Sequence, residues 1–503
     1  MTETVPAALD AAAERFPARE ALVDGDVRLT WPELLSRVRR CANFYAAAGI
    51  GPGDRVAVCA PNTWHWPVAA LGAHYAGATL VPISTRFTAR ETTDILTRAQ
   101  VSALAITGTF LDTDRLAALS ERPATVLRMP VEGPEDPVDG VTEWDALDAF
   151  DDTFTSPAKP DDVSDILFTS GTTGRSKGAM SSHRQALGVA AAWAACGELS
   201  EHDRYLVINP FFHSFGYKAG ILAATLHGTT LVPQRTFAVA ETLRLIQEER
   251  ISVLPGAPTI FQVLLDAPDR PSYDLSTLRL AVTGAATVPV ALVERMQAEL
   301  GFDLVLTAYG LTEAVVATMS LRTDPPDLIA RTVGRPTAGF EVRLGDLGEV
   351  QLRGPNVMLG YLDDPAATAE AIDTDGWLHT GDVGVLTESG HLRIVDRIKD
   401  MYICGGFNVY PAEVEQALGR LDGVAESVVV GVPDQILGEV GKAYVRLRPG
   451  VTLSTEDVLD HCKANLANYK RPRYVEFRDE LPRTPSGKVL KRVLREEGHD
   501  RTV

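Results

Sequence analysis

The order of apolar and polar residues predicts alternating strands and helices in the first part of the chain. Arg55–Cys59 and Thr79–Ile83 are short apolar runs typical of buried strands, and a helix is predicted between them from Trp64 to Ala76. Another helix is predicted from a Thr30 N-cap, with Pro32 in its first turn, toward Ala48. This β-α-β order favours a parallel α/β layer over residues 1 to about 160.

The same alternation returns between residues 161 and about 320 and then gives way to strands. Residues 321–396 carry closely spaced strand signals, which indicate a β-rich subdomain. The charge cluster Asp396–Asp400 suggests a boundary, after which about 100 residues predict a small α+β domain. We therefore predict an α/β protein. Its N-terminal domain, residues 1–396, has two doubly wound α/β subdomains and the β-rich subdomain, and its C-terminal domain spans residues 397–503.

Composition narrows the possible functions. The chain has 503 residues and a net charge of −19, which argues against broad electrostatic binding to nucleic acid or to anionic membranes. The five cysteines show no metal-binding spacing and favour reduced thiols in a cytoplasmic protein. The N-terminus lacks a signal pattern, and no uncharged apolar run is long enough to predict a membrane span.

A loop rich in glycine, hydroxyl and basic residues follows the predicted strand Asp165–Phe168. Residues Thr169–Gly178 contain three glycines together with the cations Arg175 and Lys177. Glycines allow close backbone approach, hydroxyls and amides donate hydrogen bonds, and cations offset negative charge, so the loop suits a polyphosphate. We expect it to join the strand to a helix that begins at His183. The spacing is not that of a Walker A loop, and a plain surface turn is the alternative.

Two further predicted strands end in small or polar residues, Thr283–Ala286 and Thr307–Glu313. Ligands of open α/β sheets bind at the carboxyl ends of strands, so these ends and the loop predict a nucleotide crevice. Tyr309 could stack on a base, Thr312 could reach a phosphate and Glu313 could hold Mg²⁺. The alternative for Glu313 is a carboxylate at the start of a helix.

Other candidate residues also have structural alternatives. The aromatic segment Pro210–Lys218 could line a ligand pocket or form core, and Lys218 could contact a substrate or extend to water. Asp382 could bind a ribose diol or belong to a turn after Gly381. Lys488 lies in the turn Arg483–Lys488 and could be either catalytic or simply solvated.

Six motifs, in the order shared by one family, resemble the adenylate-forming superfamily of acyl-CoA synthetases, luciferases and peptide-synthetase adenylation domains. The resemblance covers nearly the whole chain. One departure is Ser176, where the family usually has proline, and a more flexible loop is the expected result. The matching motifs are Thr169–Gly178, Ala308–Glu313, Gly376–Asp382, Asp396–Asp400, Gly405–Glu415 and Pro485–Lys488.

The resemblance implies an ATP-dependent acyl-CoA ligase that uses Mg²⁺ and coenzyme A. A carboxylate would attack the α-phosphate of ATP, and a thiol would then displace AMP. Glu313 and Thr172 would hold Mg²⁺, while His213, Thr312, Glu313 and Lys488 would be catalytic. The implied nucleotide and CoA contacts are Thr169, Ser170, Gly171, Thr172, Thr173, Gly174, Lys177, Gly284, Ala285, Ala286, Ala308, Tyr309, Gly310, Asp382, Arg397, Gly405 and Gly406.

The resemblance also implies that the C-terminal domain is mobile. It would rotate about a hinge at Lys399, withdraw Lys488 after the first step and bring Gly405–Gly406 toward a pantetheine channel. For the CoA nucleotide, Lys470, Arg471 and Arg473 are candidate partners, although a solvated basic loop is the simpler interpretation. A homodimer is among the assemblies that the sequence leaves open.

The acid substrate is predicted less sharply. Several segments resemble actinobacterial synthetases that act on the methylhexahydroindanedione propionate of steroid breakdown, and small pocket residues suit a bulky bicyclic acid. Medium-chain and aryl acids are alternatives, whereas the lack of arginine in the pocket segments disfavours a dicarboxylate. Transfer to a carrier protein, non-catalytic nucleotide binding and luciferase-like oxidation are the rival functions. The predicted pocket residues are His213, Ser214, Phe215, Tyr217, Lys218, Pro258, Gly284, Gly310 and Leu311.

Overall fold

The computed structural model describes residues 3–133, 135–169, 176–284, 288, 290–337, 339–405, 407–483 and 489–500. Contacts divide the chain into two compact units. The first unit contains Met1–Glu341 and Leu352–Leu378, and the second contains Val342–Gln351 and His379–Val503. We predicted a domain boundary at residue 396 and a hinge at Lys399, about which the C-terminal domain would rotate. Both stay predictions.

The helices, in chain order, are α1 (Val5–Arg15), α2 (Trp31–Ala47), α3 (His65–Tyr75), α4 (Ala89–Arg98), α5 (His183–Cys196), α6 (Ser214–Gly216), α7 (Ala223–His227), α8 (Val239–Glu248), α9 (Pro258–Leu265), α10 (Val290–Leu300), α11 (Pro326–Arg331), α12 (Pro365–Ala371), α13 (Pro411–Leu418), α14 (Thr455–Asn465) and α15 (Lys491–Asp500). A π-helical turn, Tyr217–Leu222, connects α6 to α7. No helix in the described part of the chain is both long and apolar enough to cross a membrane.

The strands, in chain order, are β1 (Glu20–Asp24), β2 (Val27–Thr30), β3 (Arg55–Cys59), β4 (Thr79–Pro82), β5 (Ala103–Thr107), β6 (Thr109–Phe110), β7 (Thr113–Asp114), β8 (Thr125–Met129), β9 (Thr142–Glu143), β10 (Val163–Thr169), β11 (Lys177–Ser182), β12 (Arg204–Val207), β13 (Thr230–Pro233), β14 (Val253–Gly256), β15 (Leu280–Gly284), β16 (Leu304–Leu311), β17 (Ala314–Met319), β18 (Arg335–Pro336), β19 (Glu341–Leu344), β20 (Glu349–Arg353), β21 (Gly360–Tyr361), β22 (Leu378–Leu386), β23 (Leu392–Arg397), β24 (Tyr402–Cys404), β25 (Phe407–Val409), β26 (Val424–Asp434), β27 (Gly438–Leu447) and β28 (Tyr474–Phe477).

Two large, mostly parallel sheets form the first unit. One has the strand order β21-β11-β10-β4-β3-β5-β8-β9, and the other has the order β18-β17-β16-β15-β14-β12-β13-β1-β2. The apolar core between them includes Trp31, Trp66 and Trp193, which lie on α2, α3 and α5 and are almost fully buried. Parallel strands buried between helices and a second sheet explain the near-continuous apolar runs of the sequence and confirm the α/β class.

The two sheets do not follow consecutive segments of the chain. Strands β1 and β2 join the second sheet, where Leu22 pairs with Leu231 on β13. Strand β10 joins the first sheet, where Asp165 pairs with Leu80 on β4. The division predicted near residue 160 therefore does not separate the two sheets, because each sheet recruits strands from both sides of it.

Strand β10 is followed by an antiparallel strand rather than by a helix. Residues Lys177–Ser182 form β11, which pairs antiparallel with β10, so that Thr169 faces Lys177. Strand β11 has β21 on its other side, and these two neighbours hold the segment extended. The helix start at His183 is confirmed, since Ser182 caps α5 and forms a capping box with Gln185.

The second unit is built on antiparallel strands. One sheet has the order β19-β20-β22-β23, and another contains β25-β24-β27-β26 with β28 parallel to β27. Leu418 on α13 and Val429 and Val445 on the sheet are fully buried in the core of this unit. The predicted α+β pattern after residue 400 is confirmed, while β24, β25 and α15 were not predicted.

Candidate active site

Three parallel strands, β14, β15 and β16, lie side by side in the second sheet. Gly256 at the end of β14 pairs with Thr283, and Gly284 at the end of β15 pairs with Ala308 on β16. A Cβ atom on Gly284 would lie 2.5 Å from the carbonyl oxygen of Ala308, so the close approach requires glycine here. Two of the predicted nucleotide contacts, Gly284 and Ala308, are thus neighbours, while Ala285 and Ala286 lie outside the described residues.

The segment containing Tyr309 and Glu313 is a hairpin turn and not a strand that leads into a helix. Strand β16 continues to Leu311 and returns as β17 after Thr312 and Glu313. A register shift lies between Tyr309 and Leu311, and opposite it Val316 has a φ of 53°, which is strained for a β-branched residue. Glu313 therefore lies in a turn between two strands, and the helix-start alternative for it is wrong.

Tyr361 connects this turn to the hairpin of the first sheet. It pairs with Ala179 on β11, its hydroxyl donates to Glu313 Oε1 over 2.7 Å, and Lys177 Nζ lies 5.0 Å from the centre of its ring. Burial, together with the nearby carboxylate of Glu313, raises the pKa of Tyr361, so the phenol keeps its proton. The predicted metal ligand Glu313 and the predicted phosphate ligand Lys177 therefore share one neighbour.

Sequence reasoning missed Tyr361. Tyr361 and Glu313 are 48 residues apart, and they meet only because β21 joins the far edge of the first sheet. No local pattern in the sequence marks this contact.

Asn62 holds the backbone segment that follows β12. It is a second residue that sequence reasoning missed. The buried Asn62 side chain donates to the carbonyls of Val207 and Asn209 over 3.1 and 3.0 Å and accepts from the Phe211 amide over 2.8 Å. These three hydrogen bonds of one buried side chain fix the path of the backbone from β12 toward His213.

Beyond Phe211 the predicted pocket segment is partly exposed. His213 is exposed, and its Nδ1 accepts from the Phe215 amide over 3.2 Å. Phe215 packs edge-on against Trp193, with ring centres 5.1 Å apart. Pro258 begins α9 just after β14, which pairs with the strand that ends at Gly284. Their contact with a substrate stays a prediction.

Tyr217 and Lys218 lie in the core, contrary to their predicted place in the pocket. Lys218 is 1% exposed, and its Nζ lies 2.9 Å from Asp165 Oδ1 and 2.8 Å from Ser181 Oγ. Tyr217 is fully buried, with its hydroxyl 2.6 Å from His74 Nε2. The expectation that Lys218 reaches water or a substrate carbonyl is wrong, because the carboxylate of Asp165 stabilises its charge inside the protein.

In the second unit, Asp382 and Arg397 are partners. They face each other on β22 and β23, and Arg397 Nε donates to Asp382 Oδ1 over 3.1 Å. Asp382 lies within a strand, so the turn alternative is wrong. The side chain of Asp382 is 9% exposed and that of Arg397 is 45% exposed. The hydrogen bond from the arginine orients the carboxylate.

Other predicted residues of the second unit have simpler surroundings. Lys470 Nζ lies 2.6 and 2.7 Å from the carboxylate oxygens of Glu413, so its charge is already paired. Partial burial, and then the nearby Arg397, lower the pKa of Lys399. The amide of Gly405 donates to the carbonyl of Leu437 over 2.8 Å.

Several predicted residues lie outside the described part of the chain, namely Ser170, Gly171, Thr172, Thr173, Gly174, Arg175, Gly406 and Lys488.

Comparison with known proteins decides the family. The family model of AMP-binding enzymes matches residues 9–362, and the model of the AMP-binding enzyme C-terminal domain matches residues 413–488. The chain belongs to the AMP-binding enzyme family. Its large N-terminal and small C-terminal domains are those of this family.

Two similar relatives are named "3-[(3aS,4S,7aS)-7a-methyl-1,5-dioxo-octahydro-1H-inden-4-yl]propanoyl:CoA ligase". The protein of Rhodococcus jostii RHA1 is 59% identical, with 99% of this chain and 100% of the relative covered. The protein of Mycobacterium tuberculosis H37Rv is 57% identical, with 98% and 99% covered. The crystal structure of ATP-bound MatB from Rhodopseudomonas palustris is 30% identical, with a TM-score of 0.88 and 99% of each chain covered. The chain is an ATP-dependent acyl-CoA ligase.

Proposed function

We propose that this ligase activates the bicyclic propionate named for its two relatives and so acts in steroid catabolism. The identity of 57% to 59% over nearly the whole chain is the observation that carries the proposal. In the first step the propionate and ATP give acyl-AMP and diphosphate. In the second step acyl-AMP and CoA give acyl-CoA and AMP.

The first step brings together a carboxylate and a triphosphate, both anionic, so its barrier falls when cations offset the charge. Lys177 and the neighbouring loop would bind the β- and γ-phosphates. Lys488 would contact the acid carboxylate and the α-phosphate. Tyr309 would stack on the adenine and Asp382 would accept hydrogen bonds from the ribose hydroxyls.

Glu313 is the residue that would hold Mg²⁺. In the described part of the chain no cluster of three or more histidine, cysteine or acidic side chains could bind a metal. Mg²⁺ usually takes one or two carboxylates and completes its shell with substrate phosphates and water, so one oriented carboxylate fits. The hydrogen bond from Tyr361 provides that orientation. The ion would neutralise phosphate charge when bound, and Thr172 would assist.

The second step requires a thiol to reach the acyl-AMP carbonyl. We propose that rotation about Lys399 withdraws Lys488 and presents the Gly405–Gly406 segment to the pantetheine of CoA. The thiolate would attack the carbonyl carbon, and AMP would leave with the electron pair of the broken C–O bond. The enzyme would then return to its first arrangement after release of acyl-CoA.

The test is a panel of carboxylic acids assayed with ATP and CoA. It contains the bicyclic propionate, a medium-chain fatty acid, an aryl acid and a dicarboxylic acid, and AMP and CoA thioester are both measured. We expect kcat/KM for the bicyclic propionate to exceed that of every other acid by at least about 100-fold. A pocket that fits the two fused rings would make several contacts with them that the other acids do not make.

Three outcomes would contradict the proposal. A higher kcat/KM for a fatty or aryl acid would reject the substrate. Acyl transfer to a carrier protein but not to free CoA would reject the acceptor. AMP release accompanied by oxygen consumption or light, without a thioester, would indicate oxidation of the adenylate.

A further inference from the structure

Arg98, the last residue of α4, contacts Phe168 on β10 and Ser176 directly before β11. Its Nη2 donates to the carbonyl of Ser176 over 2.8 Å, and its Nη1 lies 3.5 Å from Ser176 Oγ. Its guanidinium carbon lies 5.4 Å from the centre of the Phe168 ring on β10. One side chain therefore touches the strand before the loop and the residue directly before Lys177.

Arg98 is itself well fixed. Its Nη1 lies 3.1 Å from Asp94 Oδ2, one helical turn earlier on α4, and its side chain is only 24% exposed. A cation is also favoured at this position, because the carboxyl end of a helix carries partial negative charge. The planar guanidinium thus has a defined orientation before any ligand binds.

Arg98 contacts a residue whose own backbone is unrestricted. A proline at position 176 would fix φ through its ring. A serine has no such restriction, and the charge-assisted hydrogen bond from Arg98 supplies one from a neighbouring helix. Ser176 in turn precedes Lys177, which pairs with Thr169 and lies above the Tyr361 ring.

We propose that Arg98 is a positioning residue for ATP, which acts by holding Ser176 and thereby placing Lys177. It does not contact the reacting atoms. The inference rests on the proposed phosphate-binding role of the loop, and it assigns the restraint of Ser176 to a residue 78 positions away.

The first test is Arg98→Met, with Arg90→Met as the matched control. Arg90 is exposed on the same helix. We expect Arg98→Met to raise the KM for ATP about tenfold, the scale of a lost charge-assisted hydrogen bond. The KM for the acid and the kcat at saturating ATP should change less than about twofold. Arg98→Lys, which keeps the charge and one donor, should give an intermediate KM. Arg90→Met should behave as the parent enzyme.

The second test is rescue by proline. We expect Ser176→Pro, combined with Arg98→Met, to recover most of the lost ATP affinity, because proline restricts the backbone directly. Thermal unfolding of each variant shows whether it is folded. If Arg98→Met unfolds, the same comparison is made with Arg98→Lys.

Two results would overturn the inference. One is an unchanged KM for ATP in Arg98→Met. The other is an equal rise in KM with and without Ser176→Pro. Lys177→Met separates this failure from failure of the phosphate-binding role. If Lys177→Met weakens ATP binding while Arg98→Met does not, only the task of Arg98 is wrong. If neither variant weakens it, the role of the loop is wrong.

Discussion

Asp382 and Arg397 face each other on adjacent antiparallel strands, and Arg397 Nε donates to Asp382 Oδ1 over 3.1 Å. A carboxylate can accept several hydrogen bonds, so the arginine can orient Asp382 without using all of its capacity. We expect Asp382→Asn to raise the KM for ATP by about 30-fold, because an amide has only one acceptor oxygen. Arg397→Gln should have a smaller effect of the same kind.

The measurements for this pair are KM for ATP and calorimetric binding of AMP. 2′,3′-Dideoxy-ATP is the matched ligand control, since it lacks the hydroxyls that Asp382 is proposed to bind. The variant and the parent enzyme should bind it with similar affinity. An equal loss of affinity for ATP and for the dideoxy nucleotide would show that Asp382 has only a structural role.

The contact between Tyr361 and Glu313 predicts that the Mg²⁺ concentration needed for adenylation depends on the hydroxyl group of Tyr361. Tyr361→Phe removes the hydrogen bond to Glu313 Oε1 but keeps the ring beneath Lys177. We expect the Mg²⁺ concentration for half-maximal adenylation to rise about fivefold, because the carboxylate loses its fixed orientation. Glu313→Gln should raise it more. An unchanged Mg²⁺ dependence in both variants would remove Glu313 from the proposed site.

The buried pair Lys218 and Asp165 predicts a large effect on stability. Lys218→Met leaves the fully buried Asp165 without its cation, and we expect a loss of about 3–5 kcal/mol in the free energy of unfolding. The double change Lys218→Met and Asp165→Leu should recover most of that loss. Lys159→Met, at an exposed lysine, is the control and should change stability by less than about 0.5 kcal/mol. Urea unfolding measures all four proteins. A double variant no more stable than Lys218→Met would contradict the pair.

The burial of His183 predicts that the protein loses stability in mild acid. Burial lowers its pKa to about 4, although the carboxylates of Asp165 and Asp162 act in the opposite direction. Its Nδ1 accepts from the Val5 amide over 3.3 Å, and the ring of His74 lies 5.2 Å away. An unfolded histidine has a pKa near 6.5, so between about pH 6.5 and pH 4 the unfolded chain binds a proton that the folded chain does not. The free energy of unfolding therefore falls as the pH falls through that window.

His183→Asn should make this dependence shallower, since asparagine keeps an acceptor for Val5 but does not titrate. One fewer proton corresponds to a slope smaller by up to about 1.4 kcal/mol per pH unit. Urea unfolding at pH 7, 6 and 5 measures the slope. Equal slopes in the variant and the parent protein would show that His183 binds its proton equally well in the folded and the unfolded chain.

The proposed role of Lys488 predicts that its replacement affects adenylation but not thioester formation. It lies outside the described residues, and its role comes from the sequence motif alone. We expect Lys488→Ala to reduce adenylation by at least about 100-fold, on the scale of a lost contact to developing charge, and to spare thioester formation from supplied acyl-AMP. Equal loss in both assays, with the fold intact, would contradict the role. Exposed Lys159→Ala is the matched control.

Local patterns predicted much of the fold. The cap and capping box of α2 place Thr30 and Glu33 three residues apart, so the helix start is visible in the sequence. The strand β3 was predicted with its observed bounds, because Arg55–Cys59 is an apolar run between clear turn signals. What local patterns could not give is strand order, since the pairing of Leu22 with Leu231 depends on residues more than 200 positions apart.

The same limit applies to the candidate site. Glu313 and Asp382 stand in motifs, whereas Tyr361, Asn62 and Arg98 act through partners that are distant in sequence. Lys218 was misplaced for a related reason. A lysine in an apolar run extends to water unless an acidic partner is buried beside it, and Asp165 lies 53 positions earlier in the chain.

The position of β21 at the far edge of the first sheet has a consequence for biosynthesis. The hairpin of β10 and β11 is complete at Ser182, but its outer edge gains a partner only when Gly360 and Tyr361 emerge. At about 5–20 residues per second, ribosomes leave that edge open for roughly 10–35 s. Unpaired strand edges recruit other chains, so nascent polypeptides of this enzyme should depend on chaperones during that interval. Truncation before residue 360 would make the exposure permanent.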